Sequence, residues 1–83
     1  MQYFVYILRT SKNTLYIGQT NNLEKRLQEH ASKTGKSAKY MKYFSSFQHV
    51  YTETYATRQE AMQREYALKQ WTKAQKEALI AKK

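Results

Sequence analysis

Tyr6 and Tyr16 fall on two short runs, Tyr3-Phe4-Val5-Tyr6-Ile7-Leu8 and Thr14-Leu15-Tyr16-Ile17-Gly18, parted by the turn cluster Ser11-Lys12-Asn13. If the runs pair as a hairpin, strands about 4.8 Å apart bring two phenols on one face to one ligand. A phenol serves as acid or base when a metal or cation stabilises its phenolate. Arg26 and His30 follow at i,i+4 spacing and offer a fixed cation and an ionisable imidazole to one place. Glu65 shares a helical stripe with Ala61, Leu68 and Thr72, so the pattern turns a carboxylate inward. An inward carboxylate needs a cationic partner, such as Arg64 or Arg26, or a metal. One carboxylate suits Mg²⁺, which keeps several waters and takes few protein ligands. No acid occurs between Glu29 and Glu53, and there Lys33, Lys36, Lys39 and Lys42 are interleaved with Tyr40 and Tyr43. Lysines of such a segment would contact phosphates, and its tyrosines would stack on bases or sugars. Taken singly, each group has a plain alternative: packed strand tyrosines, a solvated helix face, a structural ion pair, a solvated loop.

The elements that must position these residues read as β-β-α-β-α-α. The two runs above form a hairpin, with Gly18 closing its second strand where the chain turns or approaches something closely. Asn21 with Glu24 resembles an N-cap and its reciprocal acid, opening a helix that carries Leu23 and Leu27 on one stripe. After a polar, basic segment from Ala31 to Ser46, Phe47 to Thr54 reads as a third strand. Thr57-x-x-Glu60 caps a second helix, and Thr72-x-x-Gln75 caps a third with Ala74, Ala78 and Leu79. The expected fold is α+β, a small, mostly antiparallel three-stranded sheet flanked by helices.

Composition narrows the chemistry. Eighty-three residues allow one domain, 1–83, with a thin core. The chain has no cysteine, so disulfides and thiolate metal sites are out, and no proline. Its six acids are all glutamate, which excludes sites built on paired aspartates. Fifteen Lys and Arg give a net charge of +9, which points to a polyanion, nucleic acid ahead of a membrane surface. No apolar run reaches the ~20 residues of a membrane span and no secretory signal is visible, so a soluble, cytoplasmic protein is expected.

In this order the residues resemble the GIY-YIG nuclease superfamily, and most of all its small single-domain bacterial members. The half-motifs stand here as Phe4-Val5-Tyr6, with Phe4 in place of the first glycine, and Tyr16-Ile17-Gly18. Gly18, Thr20, Leu23, Arg26 and His30 occupy the fixed places of the pattern G-x-T-x-x-L-x-x-R-x-x-x-H. Gly35 to Tyr40 is similar to the small members' basic loop, and Arg64-Glu65-x-x-Leu68-Lys69-x-Trp71 to the helix bearing the metal-binding glutamate. Ala31 departs from the asparagine often found after the histidine, and Lys42 from an arginine in the loop.

The resemblance implies hydrolysis of DNA phosphodiester bonds with one divalent metal, Mg²⁺ or Mn²⁺, in a setting of repair or recombination. Glu65 would hold the metal, and Tyr6 or Tyr16 would help deprotonate the attacking water. Arg26 would neutralise the pentacovalent phosphate, and His30 would bind phosphate or orient a tyrosine. Gly18 and Thr20 would shape the site. These residues are expected in one cleft on one face of the sheet. DNA is expected ahead of RNA, on a monomer, with a protein partner left open as the source of substrate choice. The alternative is a nucleic-acid-binding module that keeps the fold without turnover. A membrane-surface role is poor, because the last helix reads as mostly alanine on its apolar side.

Overall fold

The computed structural model describes residues 2–32 and 47–82. The elements are β1 (Tyr3–Thr10), β2 (Leu15–Thr20), α1 (Leu23–Ser32), β3 (Phe47–Tyr55), α2 (Arg58–Lys69) and α3 (Lys73–Ala81). Their order is the expected β-β-α-β-α-α. The strands form one antiparallel sheet in the order β2-β1-β3, so β1 is central and β2 is an edge.

The run Val5-Tyr6-Ile7-Leu8 is buried throughout because both faces of the sheet are covered. Alternation along β1 sends Val5 and Ile7 to one face, where they pack with Ile17 and with Ala61 and Leu68 of α2. Tyr6 and Leu8 point the other way and pack against Tyr16 and against Leu23 and Leu27 of α1. Full burial of each large apolar side chain in this double core is worth roughly 1.5–3 kcal/mol. The hairpin turns through Ser11-Lys12-Asn13 with bonds from Asn13 N–H to the Thr10 carbonyl and from Thr10 N–H to the Thr14 carbonyl, both 2.9 Å. Asn13 carries the left-handed φ of 63° that asparagine tolerates in a three-residue loop. On β3, Ile7 pairs with Tyr51 and Leu8 with His49, which leaves Val50 as a bulge.

Four details correct the sequence reading. Gly18 does not end β2; it sits in mid-strand opposite Tyr6, and the strand continues to Thr20. The N-cap of α1 is Asn22 rather than Asn21: its Oδ1 accepts from Lys25 N–H at 3.1 Å, and its carbonyl from Arg26 N–H at 3.1 Å. Helix α2 ends at Lys69, so Thr72 leaves its stripe and caps α3 in a complete capping box with Gln75. The inward residues of α3 are Leu79 and Ile80, packed on the α2-side core, while Ala74 and Ala78 are exposed. That helix is tied to β1 by a bidentate pair in which Arg9 donates to both Glu77 oxygens, at 2.7 and 2.6 Å.

Candidate active site

The site begins with a glycine and a ring. Tyr6 and Gly18 are cross-strand partners, and the Tyr6 ring lies across the glycine. A Cβ at position 18 would come within 2.5 Å of Tyr6 Oη and 2.6 Å of Cζ, closer than any real contact. The glycine is needed here for space, not for a turn. Tyr16 pairs with Leu8, one step along the same face, and its ring centroid is 6.4 Å from that of Tyr6. Two phenols therefore meet on the α1 side of the hairpin.

Helix α1 supplies the cation. Thr20 is buried and makes the β2–α1 junction, its Oγ1 accepting from Asn22 N–H at 3.1 Å. Asn22 then caps the helix, and Arg26 follows one turn later. The enclosed Arg26 Nε has no hydrogen-bond partner among the described residues. Its ion pair, with Glu29 Oε1, is long at 3.7 Å. His30 continues α1 one turn beyond Arg26. Lys33, Lys36, Lys39, Tyr40, Lys42 and Tyr43 lie outside the described residues.

Glu65 arrives from the opposite side of the sheet. Helix α2 packs on the Val5–Ile7 face, whereas Tyr6 and Tyr16 point to the α1 face, so a cleft on one face is not what forms. Down α2, at about 100° per residue, Arg64 and Glu65 flank the buried Ala61–Leu68 line on opposite sides. Arg64 turns to β3, donating to Glu53 at 2.8 and 3.0 Å and lying 5.1 Å over the Trp71 ring. Glu65 therefore flanks the other way, toward edge strand β2. Its side chain is 22% exposed, and its partner is Lys69, half exposed and 3.4 Å away. Neither Arg64 nor Arg26 is the cation that satisfies it.

The β2 edge is where charges from the two faces reach one another, because no outer strand separates them there. The Tyr6 hydroxyl registers the gathering. Burial raises its pKa above the ordinary phenol value, Tyr16, Glu65 and Glu29 push the same way, and Arg26 opposes them. Electrostatically, then, Glu65 from one face and Arg26 and Tyr16 from the other act on one hydroxyl. Glu29 belongs to this group and sequence reasoning missed it; its i,i+3 spacing from Arg26 was the available signal.

A second polar cluster lies away from this edge. Glu53 on β3 accepts from Arg64 and from the Tyr51 and Tyr55 hydroxyls, at 2.5 and 2.6 Å. Burial pushes its carboxyl up, but these donors outweigh burial and hold it below the ordinary value. In return Tyr51 and Tyr55 are pushed up to about 12, by burial first and by Glu53 second. With its donors in place, Glu53 is a structural acid joining β3 to α2.

For a divalent ion, the described residues around the β2 edge offer two carboxylates, Glu29, which pairs with Arg26, and Glu65, which has no arginine partner among the described residues. Among the described residues no three His, Cys, Asp or Glu gather. A carboxylate such as Glu65, whose ion pair is with a half-exposed lysine 3.4 Å away, fits an ion that brings its own waters, such as Mg²⁺. No helix among the described residues is long and apolar enough to cross a membrane.

Comparison with known proteins places the chain in a family. Residues 2–78 match the GIY-YIG catalytic domain. A UPF0213 protein of Oceanobacillus iheyensis is 47% identical over 79 residues, covering 95% of this chain and 90% of its own. One from Natronomonas pharaonis is 39% identical over 79 residues, covering 95% and 91%. The solution NMR structure of a UPF0213 protein from Bacillus halodurans superposes with a TM-score of 0.65 at 36% identity, covering all of this chain and 86% of that one. This chain belongs to the GIY-YIG catalytic domain family.

Proposed function

We propose that the protein is a metal-dependent endonuclease that hydrolyses phosphodiester bonds in DNA. The observation that carries this reading is the pair of phenols Tyr6 and Tyr16, 6.4 Å apart between ring centroids, with the charges of Arg26 and Glu65 acting on the Tyr6 hydroxyl, in a chain of net charge +9. Hydrolysis forms one bond from water oxygen to phosphorus and breaks one phosphorus–oxygen ester bond. A proton leaves the water, and a proton reaches the departing alkoxide. Glu65 is the residue to hold Mg²⁺ or Mn²⁺, which when bound supplies electrophilic stabilisation of the phosphate and leaving oxygen.

The chain's own groups divide the remaining work. Arg26 presents a guanidinium that neutralises charge gathering on the phosphorus oxygens. The raised pKa of buried Tyr6 keeps its proton on, so it serves as a hydroxyl donor that holds a water or a phosphate oxygen. Tyr16 is half-buried rather than sealed and is assigned the proton from the attacking water. His30, one turn past Arg26, is assigned to the phosphate or to orienting a tyrosine. Gly18 makes room for Tyr6, and Thr20 sets the angle at which α1 leaves the strand. Lys33, Lys36, Lys39, Lys42, Tyr40 and Tyr43 are assigned to the DNA backbone and bases.

Incubation with single-stranded, duplex and branched DNA tests the proposal, with Mg²⁺, Mn²⁺ or EDTA and beside a Glu65→Ala control. The expected result is cleavage of at least one DNA by the wild type, absent in EDTA and absent in the variant. Binding without metal-dependent cleavage of any of them would replace the enzyme by a binding module on the same fold.

A further inference from the structure

Between the end of β2, the start of α1 and the start of α2 lies a polar pocket of about 240 Å³, lined by Tyr3, Gln19, Thr20, Asn21, Arg26 and Arg58. It wraps the same edge of the sheet, with Arg26 coming from α1 and Arg58 from α2. Its charge is unbalanced. The Arg26 contact to Glu29 is long, its Nε lacks a hydrogen-bond partner, and among the described residues Arg58 makes no ion pair. Two arginines lining one small polar space, with no acid among its lining residues, favour an oxyanion that accepts bidentate hydrogen bonds.

The geometry points to this pocket as a second phosphate subsite, with Arg58 binding the DNA phosphate next to the one being cut. The inference rests on the nuclease reading only for the identity of the anion. Arg58 and Glu65 lie on the same flank of α2, seven residues apart, about 10.5 Å along the helix axis. Arg58 therefore serves a different phosphate from the one at Glu65. Arg26 borders both places and links them. Such a subsite fixes the register of the strand across the scissile bond and does no chemistry itself.

Two measurements on the whole chain test it. The first titrates inorganic phosphate while following the arginine Nε–Hε signals by NMR. The Arg58 and Arg26 signals should shift together and saturate, and Arg58→Ala should abolish the Arg26 shift. The second measures affinity for duplex DNA in EDTA as salt is varied, for wild type, Arg58→Ala and Lys12→Ala. Lys12 sits in the β1–β2 turn, outside the pocket, and removes the same charge. Arg58→Ala should weaken binding several-fold and reduce the slope of log K against log salt by about 0.9, the loss of one phosphate contact, while Lys12→Ala leaves the slope unchanged. Arg58 is exposed, so both variants should fold as wild type does. Arg58 and Arg26 signals unmoved by phosphate, or an Arg58→Ala slope equal to that of Lys12→Ala, overturn the subsite. Absence of metal-dependent cleavage with both expected results in place overturns the nuclease reading instead and leaves the subsite standing.

Discussion

At the scale of single residues, the clearest relation is between Gly18 and Tyr6. An alanine at position 18 must displace the buried Tyr6 ring, whose atoms its Cβ would meet at 2.5–2.6 Å. Gly18→Ala should therefore cost roughly 1–3 kcal/mol, as overpacking does, and move the Tyr6 hydroxyl as well. Urea unfolding checks this, and an unchanged midpoint would contradict the ring's position. The two tyrosines differ in burial, and that difference predicts unequal roles. Tyr16→Phe should lower kcat by about 10²–10⁴, the usual worth of a positioned proton acceptor. Tyr6→Phe should cost less, because only a hydroxyl donor is lost. Steady-state rates in Mg²⁺ decide it, and a Tyr6→Phe variant less active than Tyr16→Phe would reverse the assignment. Tyr6, Tyr16, Arg26 and Glu65 each have a plain alternative when taken singly, and only the spaced pattern resembling the GIY-YIG superfamily singled them out as a set. Arg58 was not among them. A basic residue opening a helix has no distinctive local signal until the fold sets that helix beside the β2–α1 junction.

At the scale of elements, the strands were legible from alternation and the turn cluster, and the helices from their caps. The boundary errors share one cause: a local signal had two readings. Gly18 could mark a strand end or a close approach, and the cross-strand ring made it the second. Asn21 and Asn22 are both good caps, and the burial of Thr20 with its bonds to Asn22 decided between them. Which sheet face Glu65 would take was not legible at all, because the order β2-β1-β3 depends on long-range pairing. Helix α3 gives a prediction of its own, since beside the packing of Leu79 and Ile80 it is tied to β1 by Arg9 with Glu77. Hydrogen bonds from Arg9 and then Lys73 hold the Glu77 carboxyl down from 4.5 to about 2. The unfolded chain takes up that proton as pH falls through 4.5, and the folded chain resists until about 2. This contribution is present above pH 4.5 and is lost as the pH falls toward 2. Glu77→Gln should be less stable than wild type at neutral pH and lose less stability across that window. Thermal unfolding against pH measures it, and parallel curves for the two proteins would remove the tether from the account.

At the scale of the whole molecule, a thin sheet covered on both faces leaves its β2 edge as the place where side chains from opposite layers can meet. In the proposed function, the net charge of +9 would draw a polyanion to the surface, and the edge would supply the groups that act on one phosphate. Glu65 is the residue on which this view turns. Its partner Lys69 is an exposed i,i+4 lysine, and such pairs are worth about 0.3–0.5 kcal/mol, so Glu65 contributes little to the fold. The most direct measurement is DNA cleavage in Mg²⁺ by Glu65→Gln, with DNA affinity and melting temperature taken on the same preparation. The account predicts cleavage abolished, affinity equal or slightly stronger because a negative charge near the phosphate is gone, and melting within a degree or so of wild type. A Glu65→Gln protein that cleaves as the wild type does, or that loses cleavage only because it unfolds, would contradict it.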